Sequence, residues 1–403
     1  MSSETLSFSQ QVKTTPEIAY SAFTKATDLR DWLCNVATVV PRPGGRFYLW
    51  WESGYYTVGE FTAVNPEKKV SFTWFGRGEP APTQVEVKFN AQDGGTLISL
   101  DHSGIGSGEL WSPVIEEIQK GWKNALENLA SVCESGEDIR FVSRPMLGII
   151  LDEFNEKIAK DIGVPVTEGI RISDTIEGMG ARAAGLRNND VLVSMGGMPT
   201  IDFDTLNNAL NAHKAGDTIE VEYYRGSENQ NVMMTLSGRP MPVIPSTPKE
   251  LADAVEVIYK DIESRLDAFL EGISEEEASF SPSESDWSIK RILGHFIQGE
   301  RAYQQNISDL VSGYERFFDD FGGNVNVLLD ATIATYPAVS DLVGEYKRNM
   351  AETLYLIANL PETFVAHKGR YWRMAYNALQ EPFHFDAHLE QMQAALDVAR
   401  HNK

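Results

Sequence analysis

The chain has 403 residues, 42% hydrophobic and 23% charged, which excludes a disordered chain and at this length predicts two or three separate cores. Against 58 aspartates and glutamates stand 35 lysines and arginines, and the net charge of -23 with no Lys/Arg cluster excludes nucleic acid and anionic lipid as partner classes. No run approaches the ~18 apolar residues of a bilayer span, and the opening "MSSETLSFSQQVKTTPEIAY" lacks basic and apolar signal regions, so no membrane span and a cytoplasmic location are expected.

Residues 1–134 read as one α+β domain. Thr15 and Pro16 in "TPEIAYSAFTKATDLRDWL" predict a capped short helix. Strand-like runs follow: "GGRFYLWW", "YYTVGEFTAV", "KKVSFTWFG", "TQVEVKFN" and "GTLISLDHS". A long helix closes the segment, with Ile115, Ile118, Trp122, Leu126 and Leu129 on one face. This order predicts a helix-grip fold. Cys34 and Cys133 are too few and too far apart for a disulfide framework or a cysteine metal site. The wording "TPEIAYSAFT", "PGGRF", "GEFTAVNPEKKVSFTW" and "GWKNALENL" resembles the activator of heat-shock-ATPase homologues (AHSA-type) in the START-like (SRPBCC) superfamily. The resemblance implies a cavity between sheet and long helix for a small apolar ligand or a client protein. Trp32, Tyr48, Trp50, Tyr56, Phe61, Phe72, Trp74 and Trp122 are its candidate lining, although aromatic pockets and aromatic cores look alike in one sequence.

After the polar break "SGEDIR", residues 141–240 carry "ARAAGLRNNDVLVSMGG". This stretch is similar to PDZ domains of the bacterial protease-associated kind, with Asn189 where those domains generally have glycine; asparagine tolerates the left-handed backbone. The resemblance implies a PDZ β-barrel-like domain that binds an extended or C-terminal peptide as an added strand. Carried over, Leu147 and Gly148 form the carboxylate loop, Ile149 and Ile150 the pairing edge, and Leu206 and Leu210 the facing helix.

A proline-rich linker, "SGRPMPVIPSTPKE", leads to residues 249–403, whose four long amphipathic stretches predict an all-α up-down four-helix bundle. In "HFDAHLEQMQAALDVARH" the residues His384, His388, Met392, Ala395 and Ala399 share one sector, with Asp386, Glu390, Gln393 and Asp397 opposite. His295 sits at the edge of the stripe Ile289, Ile292, Leu293, Phe296 and Ile297. The alternatives are three imidazoles on one ion or three rings packed in a core. The words "DWSIKRILGHFIQGE" and "HFDAHLEQM" resemble the DinB family, which implies a metal site at His295, His384 and His388 for a divalent transition metal (Zn, Ni or Fe), with positions open for water or substrate. Glu300 and Glu381 are candidates to support the rings. His102, His213, His367 and His401 lack partners at ligand spacing and read as surface or packing residues.

Two functions follow. One is a cytoplasmic multi-module binding protein with an apolar pocket, a peptide groove and a metal-holding bundle. The other, implied by thiol-dependent transferases and isomerases among metal-bearing DinB relatives, is a metal-dependent transferase or hydrolase to which the other domains recruit substrate. No paired carboxylates, serine elbow or phosphate loop names a catalytic residue.

Overall fold

The computed structural model describes residues 4–283, 286–315 and 325–401. It divides into two compact units, one built from residues 1–138 with 242–403 and the other from residues 139–241. Among the described residues no helix is long and apolar enough to cross a membrane.

In the first unit, β1 (Glu4–Val12) leads into α1 (Pro16–Thr24) and α2 (Ala26–Trp32). Thr15 caps α1 by accepting from the Ile18 N–H at 3.4 Å, and Pro16 occupies the first turn, where no N–H is needed. Strands β2 (Val36–Val39), β3 (Arg46–Trp50), β4 (Tyr56–Asn65), β5 (Lys69–Gly76), β6 (Thr83–Gln92) and β7 (Gly95–Ile105) then form an antiparallel sheet in the order β1-β7-β6-β5-β4-β3-β2. The meander order follows from short turns, and β1 returns to pair with β7, placing Phe8 opposite Leu100. Helix α3 (Ser112–Ser135) buries Ile118, Trp122, Leu126 and Leu129 in the same core as Phe47, Phe61, Phe72 and Trp74. Cys34 and Cys133 are free and buried.

The second unit is a six-stranded antiparallel sheet. Strands β8 (Ile149–Asp152), β9 (Ile170–Thr175), β10 (Val191–Met195), β11 (Thr218–Arg225) and β12 (Glu228–Thr235) lie in the order β12-β11-β10-β9-β8, and the short strand Met198–Pro199 pairs with β10. Helix α4 (Phe203–Asn211) is opened by a capping box between Asp202 and Thr205 and buries Leu206 and Ala209. Asn189 does take a left-handed backbone, with φ 65°. The following Asp190, fully buried, is gripped by Arg225 through two bonds of 2.8 and 2.7 Å, which pays for its desolvation.

Back in the first unit, α5 (Pro248–Leu270), α6 (Ile289–Val311), α7 (Val339–Ala358) and α9 (Glu381–His401) make the bundle. A shared core holds Val255, Tyr259, Phe296, Tyr346, Met350, Phe385 and Met392. The last amphipathic stretch is two helices, because Pro382 in the first turn of α9 cannot continue α8 (Lys368–Leu379), which ends at Gln380. Helix α8 instead joins the bundle to α2 and α3. Gly369 and Gly136 allow the close approach: a Cβ on Gly369 would meet Val132 Cγ1 at 2.7 Å, and one on Gly136 would meet the Lys368 carbonyl oxygen at 2.6 Å. Arg370, buried, pairs with buried Asp28, and Arg373 bridges Asp31 at 2.7 Å and Glu315 at 2.7 and 3.0 Å.

Candidate metal centre and binding surfaces

The three histidines of the bundle come from two helices. Ser288 caps α6 by accepting from the Arg291 N–H at 3.3 Å, and the buried side chains of Ile289, Ile292, Leu293, Phe296 and Ile297 fix the rotation of the helix. That rotation leaves His295 half-buried at the stripe's edge. On α9, Phe385, Met392, Ala395 and Ala399 are buried while Asp386, Glu390, Gln393 and Asp397 are exposed, so His384 and His388, one turn apart, lean inward together. Asp386 faces outward and pairs with Arg265 of α5 at 2.6 Å, which helps hold the outer face of α9.

The ligand atoms of His295, His384 and His388 all lie within 4.8 Å of one another, and among the described residues no other group of His, Cys, Asp and Glu does so. His295 Nε2 and His384 Nε2 are 3.0 Å apart. Burial, and secondarily the like charge that His388 and His384 would carry, push His295 down to about 4. It is therefore neutral near pH 7 and offers a lone pair. His388 Nδ1 lies 2.9 Å from Gln391 Oε1; with Nδ1–H donating, Nε2 carries the lone pair that would ligate. Three imidazoles without a carboxylate suit Zn, Ni or Fe, and they leave coordination positions for an outside ligand. The residues present fit such an ion.

Glu300 lies elsewhere: its carboxylate accepts from Tyr259 Oη at 2.8 Å and Thr353 Oγ1 at 2.6 Å, tying α5, α6 and α7 together. The Glu381 side chain lies outside the described residues. Gln391, one turn after His388, takes the supporting position that sequence spacing left unassigned.

The eight aromatic candidates of the sheet domain separate, those on strands by alternation and Trp32 and Trp122 by the helix faces they occupy. Phe61, Phe72, Trp74 and Trp122 face inward and line a cavity of about 20 Å³, room for one water and not for an apolar ligand. Trp32 is buried against Phe23, with their ring centroids 4.9 Å apart. Tyr48 and Tyr56 are 39% and 40% exposed, on the opposite face from Phe47 and Leu49, and half-buried Trp50 shares that outer side. Inside, His102 is fully buried, accepts from Trp122 Nε1 at 3.0 Å and meets Thr83 Oγ1 at 2.7 Å, a packing role.

In the second unit β8 is an edge strand, paired on one side only, with Ile149 opposite Thr175 and Ile150 opposite Asp174. Ile150 is 51% exposed. The carbonyls of Leu147 and Gly148 accept from Ala181 and Ile176 at 3.0 and 2.8 Å. Gly148 has φ 76°, and a Cβ there would meet Met179 Cβ at 2.2 Å. Its glycine thus serves the turn and the close packing beneath it. Leu147 and Leu206 are buried in the core, and Leu210 packs half-buried beside them.

Three family models match the chain in order: "Activator of Hsp90 ATPase homolog 1-like protein" over residues 13–134, "PDZ domain" over 145–236 and "DinB superfamily" over 258–392. Among curated proteins the chain is similar to a "Probable periplasmic serine endoprotease DegP-like" of Pseudomonas putida (strain W619), 30% identical over 99 residues, covering 25% of this chain and 21% of that protein. Another DegP-like protein, from Marinomonas sp. (strain MWYL1), is 21% identical over 57% of this chain and 47% of its own length. The chain thus spans from about a fifth to about half of these relatives. Among solved structures, an HSP90 activator from Plasmodium falciparum is 28% identical, covering 32% of this chain and 94% of that one, with a TM-score of 0.28. The Aha1 dimer from Colwellia psychrerythraea is 18% identical over 32% and 95%, with a TM-score of 0.29.

Proposed function

We propose that this chain is a cytoplasmic multi-module binding protein whose modules lie at residues 1–134, 141–240 and 249–403. In this reading His295, His384 and His388 hold one divalent transition metal, and the β8 edge captures an extended or C-terminal peptide. The observation that carries it is the meeting of three imidazoles from two helices within 4.8 Å. For the peptide, support comes from an edge strand with Ile149 and Ile150 on it and from the left-handed turn at Gly148 that leads into it. The sheet domain, with its interior filled, would engage a client protein through its exposed aromatic face; a small apolar ligand would require α3 to move. Two free, buried cysteines suit a reducing compartment.

A second reading is favoured by one feature of the site, its lack of a fourth protein ligand among the described residues. Bound there, the metal would lower the pKa of a coordinated thiol or water, giving a transferase or hydrolase. His295 would enter this chemistry already deprotonated, and Gln391 would keep His388 aimed.

Metal content of the purified full chain, compared with His384→Ala/His388→Ala, tests the site. About one equivalent in the wild type and loss in the variant is expected; equal content in both would remove the metal from this reading. Transfer of small thiols to electrophiles that tracks the metal would favour the enzyme. Binding of C-terminal peptides that is lost in Leu210→Lys, with the metal retained, would favour the binding protein.

A further inference from the structure

The rings of the triad are not held equally, and the difference points to a residue outside it. His388 keeps its bond to Gln391 through Nδ1, the nitrogen turned away from an ion. The His295 ring has one hydrogen-bond partner among the described residues, His384 Nε2 at 3.0 Å. That contact cannot survive ligation, because both Nε2 atoms would then direct their lone pairs at the ion. His295 is left to be oriented by packing alone.

Two aromatic rings supply that packing. Phe296, its chain neighbour, lies at a centroid distance of 6.3 Å, and Trp287 lies at 5.2 Å with the planes inclined by 54°. The same indole runs parallel to His388, at 6.2 Å and 10°. One half-buried side chain therefore rests on ligand rings of two different helices. Its own place is set by the chain, since it immediately precedes Ser288, the cap of the helix that carries His295.

We propose that Trp287 is the positioning residue of this centre: its indole, laid on His388 and against His295, holds the two rings in register and covers part of their outer faces from water. This rests on the metal reading above. The indole touches no reacting group in this role and acts through the imidazoles, as outer supports of metal sites do.

Two full-length variants test it. Trp287→Leu keeps an apolar side chain without a flat ring, and Trp287→Phe restores the ring. In metal-free protein, long-range proton–nitrogen spectra of the imidazoles should show His295 and His388 shifted in Trp287→Leu, with most of the change reversed in Trp287→Phe. Unchanged His295 and His388 signals in Trp287→Leu would overturn the proposal. In cobalt(II) titrations followed by visible absorption, Trp287→Leu should bind about tenfold more weakly with altered ligand-field bands, while Trp287→Phe stays near wild type. Equal affinity and identical bands in Trp287→Leu would also overturn it. A wild-type chain that takes up no cobalt defeats the metal reading instead, and the metal-free spectra still decide whether the indole orients the two rings.

Discussion

Two single residues give the sharpest tests of the fold. His102 is fully buried and burial pushes it down to about 4, against 6.5 for a free imidazole. Between those values the unfolded chain binds a proton that the folded chain refuses, so stability is full above about pH 6.5 and falls toward pH 4, by up to about 3 kcal/mol. Urea midpoints measured from pH 7 to 4.5 should decline, and His102→Gln, which has no proton to gain, should decline less. Gly148→Ala meets both a left-handed backbone and the Met179 side chain, and should cost at least about 2 kcal/mol in the thermal unfolding of the second unit. At this scale the sequence was partly legible. Periodicity alone put His384 and His388 on one sector, but whether Tyr48 or Phe47 faces the interior depended on the phase of β3, since both faces of "RFYLWW" are apolar.

Elements were more legible than their supports. Amphipathic spacing anticipated α3, α5, α6 and α7 because each buries one stripe, and the Thr15–Pro16 signal marked α1. The break before α9 was written in Pro382 yet hidden by hydrophobic periodicity running through it. Gln391 carried no signal of its role, which exists only because α9 places it one turn from His388. Gln391→Leu should therefore leave the helix intact and weaken metal uptake about tenfold, measured by competition with a chelator. Helix α8 makes a different test. Arg370→Ala strips the partner from buried Asp28 and should destabilise the first unit by about 3 kcal/mol in urea unfolding. Asp28→Asn combined with Arg370→Met, which leaves no lone charge, should recover most of that loss.

For the whole molecule, three sequence segments become two units, because the first and third share one unit through α2, α3 and α8. No local pattern could reveal this, since Asp31 and Arg373 lie more than three hundred residues apart. Scanning calorimetry should resolve two transitions, with enthalpies in a ratio of roughly three to one by residue number, and Arg370→Ala should lower only the larger.

The joint at α8 also orders events during synthesis. Asp28 and Asp31 leave the ribosome before the second unit, while the arginines that neutralise them are made only after it. Until then Asp28 and Asp31 of α2 lack the guanidinium partners that meet them in the folded unit. Any product stopping short of residue 370 therefore has neither arginine to set against this acidic pair.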